Sequence, residues 1–186
     1  MWYLQEGEED LIHLQAAIIL SYSAVGDGQD KIGTNFLSLA CNMAKNIGLF
    51  KDGISTNEPS TTSEMSDQQD KWDRAKSVTG WGVFIFQTVV SYTLQRAPFL
   101  RRPPAIPIPY EDENDFYKIL FRAQCILALI QNDLGWQNFG DDDGTSGPVS
   151  IEMTESLYQR LLIWQNSLNS KLVVYPTAHW SSLLLQ

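Results

Sequence analysis

Trp72 to Pro109, WDRAKSVTGWGVFIFQTVVSYTLQRAPFLRRPPAIPIP, decides the fold. Its first half places Trp72, Ala75, Val78, Ile85, Val89 and Tyr92 along one helical stripe, and Trp81, Phe84 and Phe86 widen the apolar surface beyond it. A helix apolar over so much of its girth is central to its domain. The spacing predicts a start at Ser66, where Gln69 completes a capping box, and a run to about Leu94 before Pro98 forbids continuation. At 1.5 Å per residue that is roughly 40 Å, enough to span a domain. Gly80 and Gly82 flank Trp81, each at a cost of about 1 kcal/mol relative to Ala, so a closely approaching helix is expected there. From Pro98 to Pro109 five prolines fix φ and push the residues before them into extended geometry, which makes the second half a connector.

Upstream, Leu11, Ile12, Leu14, Ala17, Ile18 and Leu20 predict a short helix that stops in Gly26-Asp27-Gly28. A second helix carries Ile32, Phe36, Leu39, Ala40, Met43, Ala44 and Ile47 on one stripe and ends at Gly48, where a left-handed turn lets Leu49 fold back on the last turn. Residues 51 to 68, rich in Ser, Thr, Asn, Asp and Glu, read as a mobile surface connection.

Downstream, a fourth helix is expected over Phe116 to Leu134, a loop over Asn138 to Pro148, and a fifth helix capped by Ser150 with Met153, Leu157, Leu161, Trp164 and Leu168 in line. Pro176 opens a sixth. No segment alternates convincingly with strand period. The expectation is one all-α domain over residues 1–186: an irregular bundle of five to six antiparallel helices around the long aromatic one. Both ends read as cut, because Met1-Trp2-Tyr3-Leu4 is apolar without a cap and Leu183-Leu184-Leu185 continues an apolar pattern to the last residue. Self-association through those ends is expected.

Composition sets further bounds. The 186 residues are 44% apolar and 19% charged, ordinary for a globular domain. A net charge of −9 opposes phosphate, so no direct nucleic-acid contact is expected. Cys41 and Cys125 sit far apart in apolar helical patterns, which predicts buried thiols and neither a disulfide framework nor a zinc motif. No apolar run approaches the ~20 residues of a membrane span.

Asp141-Asp142-Asp143 is the one dense carboxylate cluster, and on an all-α chain it invites comparison with the aspartate-rich magnesium motif of terpene synthases. Gly140, Gly144, Gly147 and Pro148 frame it, which favours a solvated loop. Asp141, Asp143, Thr145 and Glu152 also fall at calcium-loop positions, but Ser146 stands where that loop requires glycine. Arg101, Pro104 and Pro107 have the spacing of a polyproline ligand, against the plainer reading that Ile106 and Ile108 fasten a connector across the helices. His13 and His179 complete no catalytic arrangement, so the chain is read as a non-enzyme with no cofactor of its own. Trp72, Trp81, Phe84 and Phe86 are the residues expected to line a ligand pocket, should the bundle hold one.

Two windows carry a resemblance. Ala40, Met43, Ala44, Ile47, Gly48 and Leu49 fit a pattern of the type A-x-x-M-A-x-x-L-G-L, and Arg74, Trp81, Phe84, Leu94, Arg96, Pro98, Pro107 and Pro109 fit an arginine, an aromatic helix, a Gly-Arg-Pro-like turn and a proline-ended connector. Together they resemble the middle homology region of fungal-specific transcription factors, the helical regulatory domain that follows a binuclear zinc cluster. The match runs from about Leu11 to Pro109. It departs at Gln87, where an acidic residue is usual, and at Gln95 and Ala97, which loosen the turn. The resemblance implies a nuclear regulatory domain that contacts co-regulators or the rest of its own polypeptide and responds to a metabolite. Zinc and DNA reading would belong only to a cluster that this chain lacks.

Overall fold

The structure is a computed structural model that describes residues 8–50, 63–110, 115–139 and 150–168. Among them lie five helices and no strand: α1 Glu8–Gly26, α2 Asp30–Asn46, α3 Ser63–Thr93, α4 Phe116–Phe139 and α5 Ile151–Ser167. The chain is all-α, as its periodicity predicts. The proposed sixth helix and both apolar ends fall outside the described residues, as does Asp141-Asp142-Asp143.

Two boundaries differ from expectation. α3 begins at Ser63, so Ser66 lies inside its first turns and residues 63–68 of the proposed loop are helical. Glu64, Met65 and Gln68 are good helix formers and nothing in that stretch breaks a helix. α4 continues past Leu134 to Phe139, taking in Asn138.

α1 and α2 form an antiparallel hairpin and share the most extensive helix contact. Gly28, at φ 73°, turns the chain between them. α2 ends as read: Gly48 adopts φ 85°, its N–H bonds to the Lys45 carbonyl, the Leu49 N–H bonds to the Ala44 carbonyl, and Leu49 is buried. The buried stripe of α2 is Gly33, Leu37, Ala40, Cys41 and Ala44, rotated from the expected one, so Ile32 and Leu39 are exposed. The rotation follows from small residues. A Cβ at Gly33 would lie 2.5 Å from Val25 Cγ2 and 3.0 Å from the Ser21 carbonyl oxygen, so α1 crosses on the glycine and not on the larger side chains. The Ser21 hydroxyl donates to the Gly33 carbonyl at 2.7 Å.

α3 is the centre, in contact with α1, α2 and α4. Its buried face runs through Ser77, Gly80, Trp81, Phe84, Gln87, Thr88 and Ser91, while Val89 and Tyr92 of the expected stripe face solvent. Phe84, Leu14, Leu37 and Leu100 are fully buried in the core they share.

After α3 the chain returns along it as the connector. Pro98 packs on Gly135 of α4, while Tyr110, twelve residues on, lies against Arg74 in the first half of α3 and Phe121 near the start of α4. α4 therefore runs parallel to α3, against the expectation of antiparallel neighbours throughout. α5 then packs antiparallel on α4. The Arg160 guanidinium reaches Asp133 at 2.7 Å and the Trp164 indole donates to the Ala123 carbonyl at 2.9 Å. Ser150 caps α5 as expected, its hydroxyl accepting from the Met153 N–H.

Candidate functional site

The connector is extended backbone without a sheet to satisfy it, so its polar groups must find partners on the helices around it. They do. Gln87, fully buried, accepts from the Phe99 N–H at 3.0 Å and the Leu100 N–H at 3.4 Å through Oε1. Its Nε2 donates to Asn132 Oδ1 at 3.1 Å and to Thr88 Oγ1 at 2.7 Å. Asn132, buried on α4, passes the chain of bonds on by donating to the Arg101 carbonyl at 3.1 Å. Further along, the Trp81 indole donates to the carbonyls of Ile106 and Pro107 at 3.1 and 3.2 Å, and the Ser77 hydroxyl to that of Pro107 at 2.7 Å. The Ala105 N–H bonds to the Leu49 carbonyl at 3.0 Å. The turn after α2 and helices α3 and α4 thus all hold one strap.

This network accounts for the departure at Gln87. An amide both donates and accepts, and this site uses both ends; a carboxylate at the same place would lose the bonds to Asn132 and Thr88. It also decides the polyproline reading. Pro104 is buried at ordinary contact distance from the place where a Gly80 Cβ would stand, and the Pro107 carbonyl is taken by Trp81 and Ser77. Arg101, Pro104 and Pro107 therefore do not present a free ligand face. Gly80 is approached by the strap and by Leu49, whereas nothing comes within 4 Å of a Cβ at Gly82, so the expected close helix is absent from both.

At the Gly-Arg-Pro-like turn, Gln95 takes φ 51° and the Arg96 N–H bonds to the Ser91 carbonyl. Gln95 thus adopts the left-handed conformation that glycine adopts at little steric cost. The Arg96 guanidinium stacks over Phe99 at 4.8 Å, with Nε and Nη2 buried and unbonded. Burial holds its pKa below the ordinary value, opposed by the charge of Asp30.

Between the end of α2, the first half of α3 and the strap lies a hollow of about 640 Å³, lined by Ile47, Leu49, Ser77, Ile106, Ile108 and Tyr110 with Asp73, Arg74 and Lys76 among its polar groups. A second, of about 450 Å³, is lined by Asp10, Leu11, Met43 and Trp72 and shares Ile47, Leu49 and Lys76 with the first. The two lie side by side along the wall of Ile47, Leu49 and Lys76 and together form the sides of a trough. Its strap wall is held in place by the bonds to Leu49, Ser77 and Trp81, so the concavity is preformed. Lys76 lies over the Trp72 ring at 5.2 Å and 3.4 Å from Asp73; Arg74 lies over Tyr110 at 5.7 Å.

Of the four aromatic residues expected to line a pocket, Trp72 alone borders the trough. Trp81 and Phe84 are buried in the core, edge to face at 5.8 Å, and Phe86 packs against Tyr22. The signature residues Ala40, Ala44, Leu49, Trp81 and Phe84 share the core, with Met43 packed against it. Burial pushes both thiols, Cys41 and Cys125, up to about 12, which leaves neither a nucleophile at neutral pH. Among the described residues no group of three or more His, Cys, Asp or Glu is placed to hold a metal, and no helix is long and apolar enough to cross a membrane. Compared with protein families, curated proteins and solved structures, the chain finds no significant match.

Proposed function

We propose that the chain is a helical regulatory domain of the kind that follows the zinc cluster in fungal-specific transcription factors, acting in the nucleus through co-regulators or the rest of its own polypeptide, without catalysis and without DNA reading of its own. One observation carries the reading: the two windows of resemblance meet. Leu49, at the end of the first, bonds through its carbonyl to Ala105 in the second, and both contribute to the core around Trp81 and Phe84. Residues spaced apart in sequence thus make one unit, as a transferable regulatory body requires.

Tethering tests it. Fused to an unrelated DNA-binding module, the chain should raise or lower a reporter relative to that module alone, and disrupting the seat with Trp81→Ala should remove the effect. A folded fusion that leaves the reporter unchanged overturns the proposal. Purified by itself, the chain should leave duplex DNA unshifted at moderate salt, as its charge of −9 demands.

The trough favours a second reading, a sensor for a small apolar or amphipathic molecule. A ligand at 100 times its dissociation constant would add about 2.7 kcal/mol of stability. Thermal shift against a metabolite panel detects that. A hit that survives Ile108→Asp in the trough wall would have bound elsewhere.

A further inference from the structure

The trough carries four charged side chains on its walls, and three of them are engaged. Lys76, on the wall common to both hollows, keeps its ammonium 3.4 Å from the Asp73 carboxylate and 5.2 Å from the centre of the Trp72 ring. Asp73 also accepts from Gln69 Nε2 at 3.0 Å through both oxygens. Arg74 lies over Tyr110 at the strap. Asp10 is different. It lines the smaller hollow from the first turn of α1 and, among the described residues, its carboxylate has neither an ion-pair nor a hydrogen-bond partner.

Two further features of that hollow carry the same sign. Asn46 and Ile47, the last residue of α2 and its C-cap, line it, and the final carbonyls of a helix bear a partial negative charge. Lys45, the basic residue of that last turn, borders neither hollow and donates instead to the Phe99 carbonyl at 3.3 Å. The chain as a whole, at −9, draws cations toward it and repels anions. Leu11, Met43, Leu49 and Trp72 give the same hollow an apolar bed, and its volume of about 450 Å³ is ordinary for a small-molecule pocket.

Taking the trough as the ligand site of the sensor reading, we infer that its ligand is an apolar amine: the ammonium pairs with Asp10 beside the end of α2, and the body lies on Leu11, Met43 and Trp72. A carboxylate in that place would face Asp10 and the α2 carbonyls with the wrong sign. A neutral molecule would gain the apolar bed alone.

Calorimetric titration of the full chain at low salt with phenethylamine, phenethyl alcohol and phenylacetate tests it, since the three probes share a ring and differ in charge. The amine should bind about fivefold more tightly than the alcohol, the size of a solvent-accessible ion pair, and phenylacetate more weakly than either. Added salt should erode that preference. Asp10→Asn should abolish it and leave the affinity for the alcohol unchanged. Asp27→Asn, which removes the same charge just past the far end of α1, should keep it. Equal binding of amine and alcohol, tighter binding of phenylacetate, or a preference that survives Asp10→Asn or vanishes in Asp27→Asn would overturn the amine assignment while leaving the trough a ligand site. Binding of none of the three would overturn the sensor reading itself, and the amine with it.

Discussion

The α1–α2 hairpin and the seat of the strap are both buried, and they are held by opposite means. Between α1 and α2 the fit is one of size: Gly33, Ala40, Ala44 and Ala17 leave room for close backbones, and the Ser21 hydroxyl adds a bond to the Gly33 carbonyl. Around Pro98 to Tyr110 the fit is one of donors and acceptors, because extended backbone brings carbonyls and N–H groups that α2, α3 and α4 must satisfy. The first kind of contact fails when volume is added. The second fails when a partner is removed.

Gln87→Leu breaks the second hardest. It leaves the N–H groups of Phe99 and Leu100 and the Oδ1 of Asn132 without the partner they now have. At about 1–3 kcal/mol per buried orphan, partly relaxed, the loss should be about 3–5 kcal/mol by urea unfolding. A loss under about 1 kcal/mol would mean that Gln87 does not hold the strap. Gln87→Glu adds a sign. At a carboxyl here the N–H groups of Phe99 and Leu100 lower the pKa, while burial and the facing acceptors Asn132 Oδ1 and the Phe84 carbonyl raise it, and the raising side is expected to win because only the protonated form can donate to those acceptors. That variant should be more stable at pH 5 than at pH 7, losing stability as pH rises.

Gly33→Ala probes the hairpin in the same way. Overpacking costs about 1–3 kcal/mol, against roughly 1 kcal/mol gained by replacing a helical glycine, so a net loss of up to about 2 kcal/mol is expected in the same assay. A stabilised variant would show that the crossing is looser than Val25 and Ser21 imply.

Two smaller changes test the backbone within the seat and just past the end of α3. At Gly82 nothing stands within 4 Å of an added Cβ, so Gly82→Ala should stabilise by about 1 kcal/mol. At Gln95, held at φ 51°, Gln95→Gly should relieve left-handed strain worth about 1 kcal/mol, less the added freedom of the unfolded chain. Paired thermal melts read both. Reversed signs would mean that Gly82 is the constrained position and Gln95 the free one.

This contrast also explains what the sequence made legible. Periodicity gave the five described helices, Gly48 gave the end of α2, and Ser150 gave the start of α5, since each is a local signal. The buried face of α3 was not legible. Ser77, Gln87, Thr88 and Ser91 look like solvent positions, and nothing local announces that a strap will need their hydrogen bonds. Trp81 was assigned to apolar packing, yet its indole N–H serves the strap. Gly135 carried no signal for the same reason: its partner, Pro98, lies across the connector. The trough was legible only through Trp72, because its strap wall comes from Ile106 to Tyr110, distant in sequence from the tryptophans of α3.

The finest test compares the two regions directly, because each holds one thiol. Cys41 lies in α2 of the hairpin and Cys125 in α4, and burial pushes each from the ordinary 9.0 to about 12, opposed at Cys41 by the charge of Lys45 and at Cys125 by a backbone hydrogen bond and the charge of Arg122. Both folded-state values are raised, so the stabilising share of these groups is whole below about pH 9 and is lost as pH climbs toward 12. The effect is small at pH 8, where labelling reads opening instead. A thiol reagent should modify neither cysteine in the native protein on the time scale of the denatured control. If the hairpin is held by shape and the seat by bonds, Gln87→Leu should speed labelling at Cys125 more than at Cys41, and Gly33→Ala should do the reverse. Equal acceleration at both thiols by each substitution would mean that the regions open together, and the distinction between them would hold only in how they are packed.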